Sequence, residues 1–590
     1  MKRNFKIICL VLIAIMVFTA CSTTPEKPEE TTEGITGSFE GVGKGRGGDI
    51  KISLSLKDST IEAIEVLEHS ETPGYESSFE ELTNYAVGHN QVPTDVVSGA
   101  TLASNGFIDA IKDALKNAGL DAEALVAKEV EKSDKETIEE TVDVVVVGAG
   151  GAGLTAAIRA KEAGANVMVF EKLPFVGGNT LISGAEYAAP GNWIQEKEGI
   201  EDNTDLFYED VLKAGGNPEL VRTLADNALD GAIWLRDDAK VQWEDELMFF
   251  GGHTVKRSLI PAGASGKEII TKLSKKAEEL GIRVEVGARV TELILDGDKV
   301  VGVKAEGESK DYIVNSKSVV LSTGGFGSNV EMRVKYNPEI DDSILSTNSP
   351  GSTGDGIILA QSAGAVLVGM EHIQLYPICD PLTGTLLYVD DTRLYQVTIM
   401  VNKEGQRFVE ELDTRYAISM AMKAQSDGYG YELWDQAGAD LSQISENHPA
   451  EIQYLKDNGL LVVAETLDEC AEHFGIDKEA LKATVEKWNG YVDAGADADF
   501  NKRGTLHKIE TGPFWMIKAV PAVHHTMGGV SIDKDAQVLR EDGTIIPGLF
   551  AAGEVTGGIH GDNRLGSAAI ADITVFGIIA GDNAAKYSKE

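Results

Sequence analysis

Val142-Asp-Val-Val-Val-Val147, Gly148-Ala-Gly150-Gly-Ala-Gly153, Leu154 to Gly164, then Val167-Met-Val-Phe170-Glu171 is the stretch that decides the fold. It reads as a buried strand, a glycine turn, a helix and a second strand that ends in an acid eighteen residues beyond the third glycine. The first glycine, Gly148, permits the tight turn. The second, Gly150, lets a pyrophosphate approach the backbone, and the third, Gly153, lets helix pack on strand. The helix N-terminus then holds the phosphates, and Glu171 is placed for a ribose hydroxyl. A glycine triad alone is a weak signal, but strand, helix and spaced acid together predict a dinucleotide site in an α/β fold.

The N-terminus has a different character. Lys2, Arg3 and Lys6 precede an apolar run from Ile7 to Phe18, followed by Thr19-Ala20-Cys21. This resembles a bacterial lipoprotein signal (residues 1–21), in which Cys21 is lipidated after cleavage. The run is shorter than the about 20 residues of a spanning helix. The resemblance implies an extracytoplasmic protein, anchored to the cell membrane by lipid at Cys21. Residues 22–36, rich in Ser, Thr, Pro and Glu, read as a solvated tether.

Composition narrows the function classes. A chain of 590 residues, 43% hydrophobic, can bury several cores. A net charge of -41 argues against nucleic acid and against charge-driven binding to acidic lipid. Beyond Cys9 and Cys21 only Cys379 and Cys470 remain, with no Cys-x-x-Cys-His, so neither a haem array nor a disulfide framework is available. No metal site is expected, and electrons must travel on other cofactors.

Residues 37–120 read as a unit of their own, with strand-like alternation at Phe39–Val42, Ile50–Leu56 and Ile61–Leu67, then Thr72-Pro-Gly74, and a helix from Asn105 to Ala118. Between them stands Asp95-Val-Val-Ser-Gly-Ala-Thr101. This segment resembles the small FMN-binding domains whose Asp-x-x-Ser-Gly-Ala-Thr motif is esterified by a flavin transferase. The resemblance implies FMN held on Thr101 through a phosphodiester. The alternative is a helix cap, with Thr101 or Ser104 accepting from the first backbone N–H groups of the helix. Residues 121–140, charged and helix-prone, read as a linker.

Residues 141–590 resemble the soluble fumarate reductase family, the flavin subunits related to succinate dehydrogenase. The likeness rests on the glycine turn with Glu171, Gly177-Gly178-Asn179-Thr180, Ser183-Gly184-Ala185, Ser322-Thr323-Gly324-Gly-Phe-Gly327, Thr347-Asn348, Gly351-Ser-Thr-Gly-Asp355-Gly356 and Ala551-Ala-Gly553-Glu554. It implies non-covalent FAD wrapped by these residues and by Ala568 and Ile570, with Glu554 at the ribityl end. The expected fold is α/β: a Rossmann-like FAD-binding domain (141–372 and 521–590) interrupted by a mobile α+β clamp (373–520) and preceded by the small α+β FMN-binding domain. Clamp closure would exclude water from the reacting atoms.

The same resemblance assigns chemistry. Asn402-Lys-Glu-Gly-Gln-Arg-Phe408, Glu411 and Thr414-Arg415 reproduce the stretch that ends in the family's catalytic arginine, so Arg415 would donate the proton to one alkene carbon while FAD N5 delivers hydride to the other. An arginine acid has an aqueous pKa above 12, which a carboxylate relay and a carbanion acceptor would offset. His524 in His524-His-Thr-Met-Gly-Gly529 and Arg564 in Asn563-Arg-Leu-Gly566 would hold the substrate carboxylate and polarise the alkene. Departures from the pattern bear on substrate. Fumarate reductases carry His-Pro-Thr where this chain has Gln374-Leu-Tyr376-Pro377-Ile, and Thr-Glu where it has Asp390-Asp391. Tyr376 offers no positive charge and an extra acid repels a dicarboxylate. One anion clamp facing a phenol and carboxylates suits urocanate, an imidazole joined to an acrylate, and urocanate reductases have a Tyr and an Asp at these places. Either Asp390 or Asp391 could be the matching acid, and Arg393 would join it in the proton relay. The reading is an extracytoplasmic reductase fed by an external electron donor through FMN. Fumarate, cinnamate-type and other enoates are alternative substrates, and a flavin carrier or ligand-binding lipoprotein without turnover is the alternative class.

Overall fold

The computed structural model describes residues 34–45, 48–69, 71, 77–93, 101–125, 135–307 and 309–590. The signal with Cys21, Thr72-Pro-Gly74 and residues 95–100 of the flavin-attachment motif lie outside the described residues.

In the N-terminal unit, the strands Gly37–Lys44, Asp49–Lys57 and Thr60–Glu68 form an antiparallel sheet in chain order. Alternation in Asp49–Lys57 turns Ile50, Ile52, Leu54 and Leu56 into a core with Phe107, Ile111 and Leu115 of the helix Thr101–Asn117. That helix begins at Thr101 rather than Asn105. Ser104 therefore lies inside its first turn, not ahead of it. Gly41 and Gly43 let the first strand meet the helix, since a Cβ on either would stand 2.1 or 2.0 Å from the carbonyl of Ala110 or Gly106.

The main body is built on an eight-stranded sheet. Val167–Phe170 and Lys310–Leu321 flank Glu136–Val147 in parallel, with Ile545–Ala551 parallel beyond Lys310–Leu321. The valines of Glu136–Val147 are buried because helices cover the sheet. This strand starts at Glu136, so residues 136–140, read from their charge as linker, are its solvent-facing first half, paired residue by residue with 310–314. The helix Ala568–Tyr587 is long and apolar because it is a core element: Gly577 and Gly581 bring it against Gly151–Glu162, where a Cβ on Gly581 would be 2.3 Å from the Ala156 carbonyl.

Between residues 373 and 520 a second hydrophobic cluster forms around Trp434, Trp515 and Ile517. A separate six-stranded sheet runs through it, organised along the strand Phe514–Thr526. The first part of this strand pairs with Gly430–Asp435 and Leu461–Ala464, the last part with Leu345–Ser346 and Ile373–Cys379. The expected boundary at 520 thus falls inside one continuous strand, which carries His524 at its far end.

Candidate active site

The glycine turn behaves as its spacing predicts, although the helix starts at Gly151, within the glycine run, rather than at Leu154. Gly148 has φ 100°, and a Cβ on Gly153 would sit 1.9 Å from the Gly148 carbonyl, so helix and strand touch there. Gly150 is different: a Cβ there would have its nearest neighbour at 3.7 Å, on the open side. It lines a cleft, together with Gly148, Glu171, Gly178, Asn179, Thr180, Thr323, Gly324, Asp355 and Glu554, whose atom-free space, counted out into open solvent, is about 800 Å³. Gly153 and Gly553 pack beneath this wall, and Ser183, Gly184, Ala568 and Ile570 stand outside its lining.

These residues fit FAD. The helix Gly151–Glu162 has no side-chain cap, which leaves its first N–H groups for phosphate. Glu171 accepts from the Ala149 and Leu173 amides, both at 2.9 Å, and these bonds oppose the burial that pushes its pKa up. Glu554 is fixed by Asn179 and by the Thr526 amide, both at 3.0 Å. Asp355 is already engaged by Arg289 and Lys172, so it shapes the wall as an ion pair. Sequence reasoning missed both cations.

Arg415, His524, Arg564, Tyr376, Asp390 and Arg393, distant in sequence, come together. Thr414 caps the helix Arg415–Lys423 by accepting from the Ala417 amide, which fixes Arg415 as its first residue. The Arg415 guanidinium lies 4.7 Å from the Tyr376 ring centre, and the His524 ring 5.3 Å from the same ring. Tyr376 donates to Asp390 at 2.6 Å, and Arg393 grips Asp390 with two bonds, 2.7 and 2.6 Å. Arg564 donates to Gln374 at 2.9 Å, and Gln374 returns a bond to the Arg564 carbonyl at 2.8 Å. The Arg564 Nε is buried with no partner among the described residues, a donor left for an anion. His524 is steadied by Thr347 at 3.0 Å.

Electrostatics follow from this crowding. Burial first, then Arg415, pulls Arg564 down to about 9. Burial, then Arg564 and Arg415, holds His524 well below its usual value, so it is neutral near pH 7. Burial also lowers Arg415, with Arg393 adding to the effect and Tyr376 opposing it. For Arg393 burial works against the charge, but Asp390 outweighs it and the net shift is upward.

The two adjacent acids separate. Asp390 is buried in the Tyr376–Arg393 network, whereas Asp391 keeps 28% of its side chain exposed and sits 3.5 Å from His448. Asp391 is also close enough to Glu186 to raise that acid's pKa, after the larger effect of burial. Arg415 and Arg564 act on Glu186 in the opposite sense. Sequence reasoning did not single out Glu186, yet it is the only charged residue between Lys172 and Glu196, a signal that was there to read.

Residues 143–570 match the FAD binding domain family, and residues 45–116 the FMN-binding domain family. A urocanate reductase of Eggerthella lenta is 45% identical over 564 residues, covering 93% of this chain and 92% of that protein. The chain belongs to the fumarate and urocanate reductase family of flavoproteins. An NADH:fumarate oxidoreductase of Klebsiella pneumoniae is 37% identical over 549 residues, but this member of the family spans only 57% of its length. A flavocytochrome c3 fumarate reductase in its open conformation has 38% identity and a TM-score of 0.69, over 76% of this chain and 79% of that one. The family member described here is a flavin-dependent oxidoreductase with an FMN-binding unit ahead of an FAD-binding one.

Proposed function

We propose that this protein reduces the C=C bond of urocanate to give imidazole propionate. The observation that carries the reading is the mixture of charge around Arg415: Arg564 and neutral His524 supply one anion clamp, and the acids Glu186 and Asp391 add negative charge within electrostatic reach. A fumarate molecule would bring a second carboxylate toward two acids, at a cost of several kcal/mol if the charges are desolvated. An imidazole ring, cationic or donating through N–H, meets them favourably.

Bound FAD would supply the hydride. Gly148 to Gly153 and Glu171 would hold its adenosine and phosphate end and Glu554 with Asn179 the ribityl end. Arg564 binds the substrate carboxylate through its free Nε and orients the alkene, with His524 alongside. Arg415 gives one proton to the substrate carbon, helped by the burial that loosens its hold on that proton. Asp390, fixed by Arg393, is placed to pass a proton on to Arg415, and Tyr376 keeps Asp390 in place. Segment 373–520, joined to the body through Phe514–Thr526, closes over substrate and excludes water.

Electrons enter through the N-terminal unit, with FMN on Thr101. Phe175 and Ile182 pack against both the N-terminal core and the main core, and Gly178 to Thr180 between them line the FAD cavity, which favours a direct route. The Cys21 lipid anchor places the enzyme outside the cytoplasmic membrane, with a membrane-side donor. Anaerobic mixing of the reduced protein with urocanate tests the reading: rapid flavin reoxidation with formation of imidazole propionate is expected, and a reduced flavin indifferent to every enoate would mean a carrier without turnover.

A further inference from the structure

Glu432 lies in the strand Gly430–Asp435, where every residue is buried, and is itself 0% exposed. Neither of its carboxyl oxygens has a hydrogen-bond partner among the described residues. Four charged groups face it: Asp390, Arg393 with its Nε 3.9 Å away, Glu411, and Lys502. The cations are already matched. Arg393 is bound by Asp390 and also donates to the Glu411 carbonyl. Lys502 lies 3.6 Å from Glu411 and donates to the Thr398 carbonyl, while Arg407 pairs with Glu411 and Asp497. The two cations that face Glu432, Arg393 and Lys502, are thus matched by Asp390 and Glu411, and an ionised Glu432 would add a buried charge with no cation of its own. The groups facing Glu432 cancel when it is protonated, in keeping with the strong upward push of burial on its pKa.

We propose that Glu432 is a protonated acid that stores the proton used to recharge Arg415. The proposal rests on Arg415 being the proton donor. After Arg415 has given its proton to the substrate carbon, an Arg393 N–H breaks as an O–H forms on Asp390, and the Asp390 O–H breaks as an N–H forms again on Arg415. Arg393, now neutral, is recharged as the O–H bond of Glu432 breaks and an N–H forms again on its guanidine. No electrons change hands. Glu432 is left as a carboxylate beside Arg393 and Lys502 and takes one proton from water before the next cycle. The 3.9 Å gap exceeds a hydrogen bond, so Glu432 must close by about 1 Å to transfer.

Glu432→Gln tests this, because glutamine has the shape of the protonated acid and cannot give up its proton. Full-length E432Q should keep its FAD and its KM for urocanate within about twofold, lose about tenfold or more in kcat with an altered pH profile, and lose one protonated-carboxyl infrared band at pH 7. Glu432→Asp, which still titrates, should keep the band and recover much of the turnover. An unchanged infrared band in E432Q, an unchanged kcat and pH profile, or E432D as inactive as E432Q would overturn the proposal. Should E432Q not accumulate, the E432D band and turnover decide. Arg415→Ala, measured alongside, separates the two readings: an active R415A refutes the proton-donor role, whereas an inactive R415A beside a fully active E432Q refutes only the storage role.

Discussion

Tyr376 donates its phenolic hydrogen to Asp390 over 2.6 Å, and both side chains are buried. The bond joins the residue under the Arg415 guanidinium to the acid that Arg393 neutralises. The neighbouring acids have different surroundings: Asp390 lies in the buried network with Tyr376 and Arg393, whereas Asp391 is partly exposed beside His448.

Asp390→Asn should therefore damage both stability and turnover. Removing the charge leaves Arg393 buried and unmatched, a loss of about 3–5 kcal/mol. Asp391→Asn should leave stability within about 0.5 kcal/mol, as expected of a partly exposed acid outside the buried network, while raising KM for urocanate. Thermal unfolding with anaerobic steady-state kinetics checks both; the reverse pattern would exchange the two roles.

Arg415→Ala should cut kcat by at least about 10²-fold, the range of a general acid, with FAD content unchanged because Arg415 lies outside the lining of the FAD cavity. Absorbance of the purified protein gives flavin content, and viologen oxidation gives turnover.

Thr101→Ala should abolish the flavin fluorescence that survives denaturation in a gel, while FAD remains extractable. Viologen-driven turnover should persist, since small dyes reach FAD without the N-terminal unit. A surviving fluorescent band would mean that the motif does not carry FMN.

His253 is buried against the Gly566 carbonyl at 2.8 Å, and burial lowers its pKa from 6.5 to about 4. The unfolded chain takes up this proton as pH falls below 6.5 and the folded protein does not, so stability is lost progressively from pH 6.5 to about 4. Above pH 6.5 the group has no effect. Denaturant titrations of His253→Gln should show a shallower loss of stability over that window than the parent.

Much of this was legible in the chain. Gly148, Gly150 and Gly153 announce the dinucleotide turn because backbone sterics leave few other residues possible there. Arg415, His524 and Arg564 each sit in a local motif. Other features depend on tertiary neighbours. Residues 136–140 are charged because they extend a core strand into solvent, and charge alone looks like a linker. Asp390 and Asp391 are adjacent, and only the turn at Tyr388–Asp390 followed by the helix Asp391–Leu394 sends them to different partners. Glu186 and Glu432 acquire meaning from what surrounds them once the segment 373–520 is folded against the main body.

A cleft that reads one carboxylate and one imidazole is tested by kcat/KM for urocanate and fumarate under identical anaerobic conditions with a viologen donor, with cinnamate and acrylate as further substrates. Losing a buried charge partner costs several kcal/mol and each 1.4 kcal/mol is about tenfold, so urocanate should be preferred over fumarate by about two orders of magnitude or more. Cinnamate equal to urocanate would discard the pairing of the ring with Glu186 and Asp391, and fumarate matching or exceeding urocanate would contradict the account.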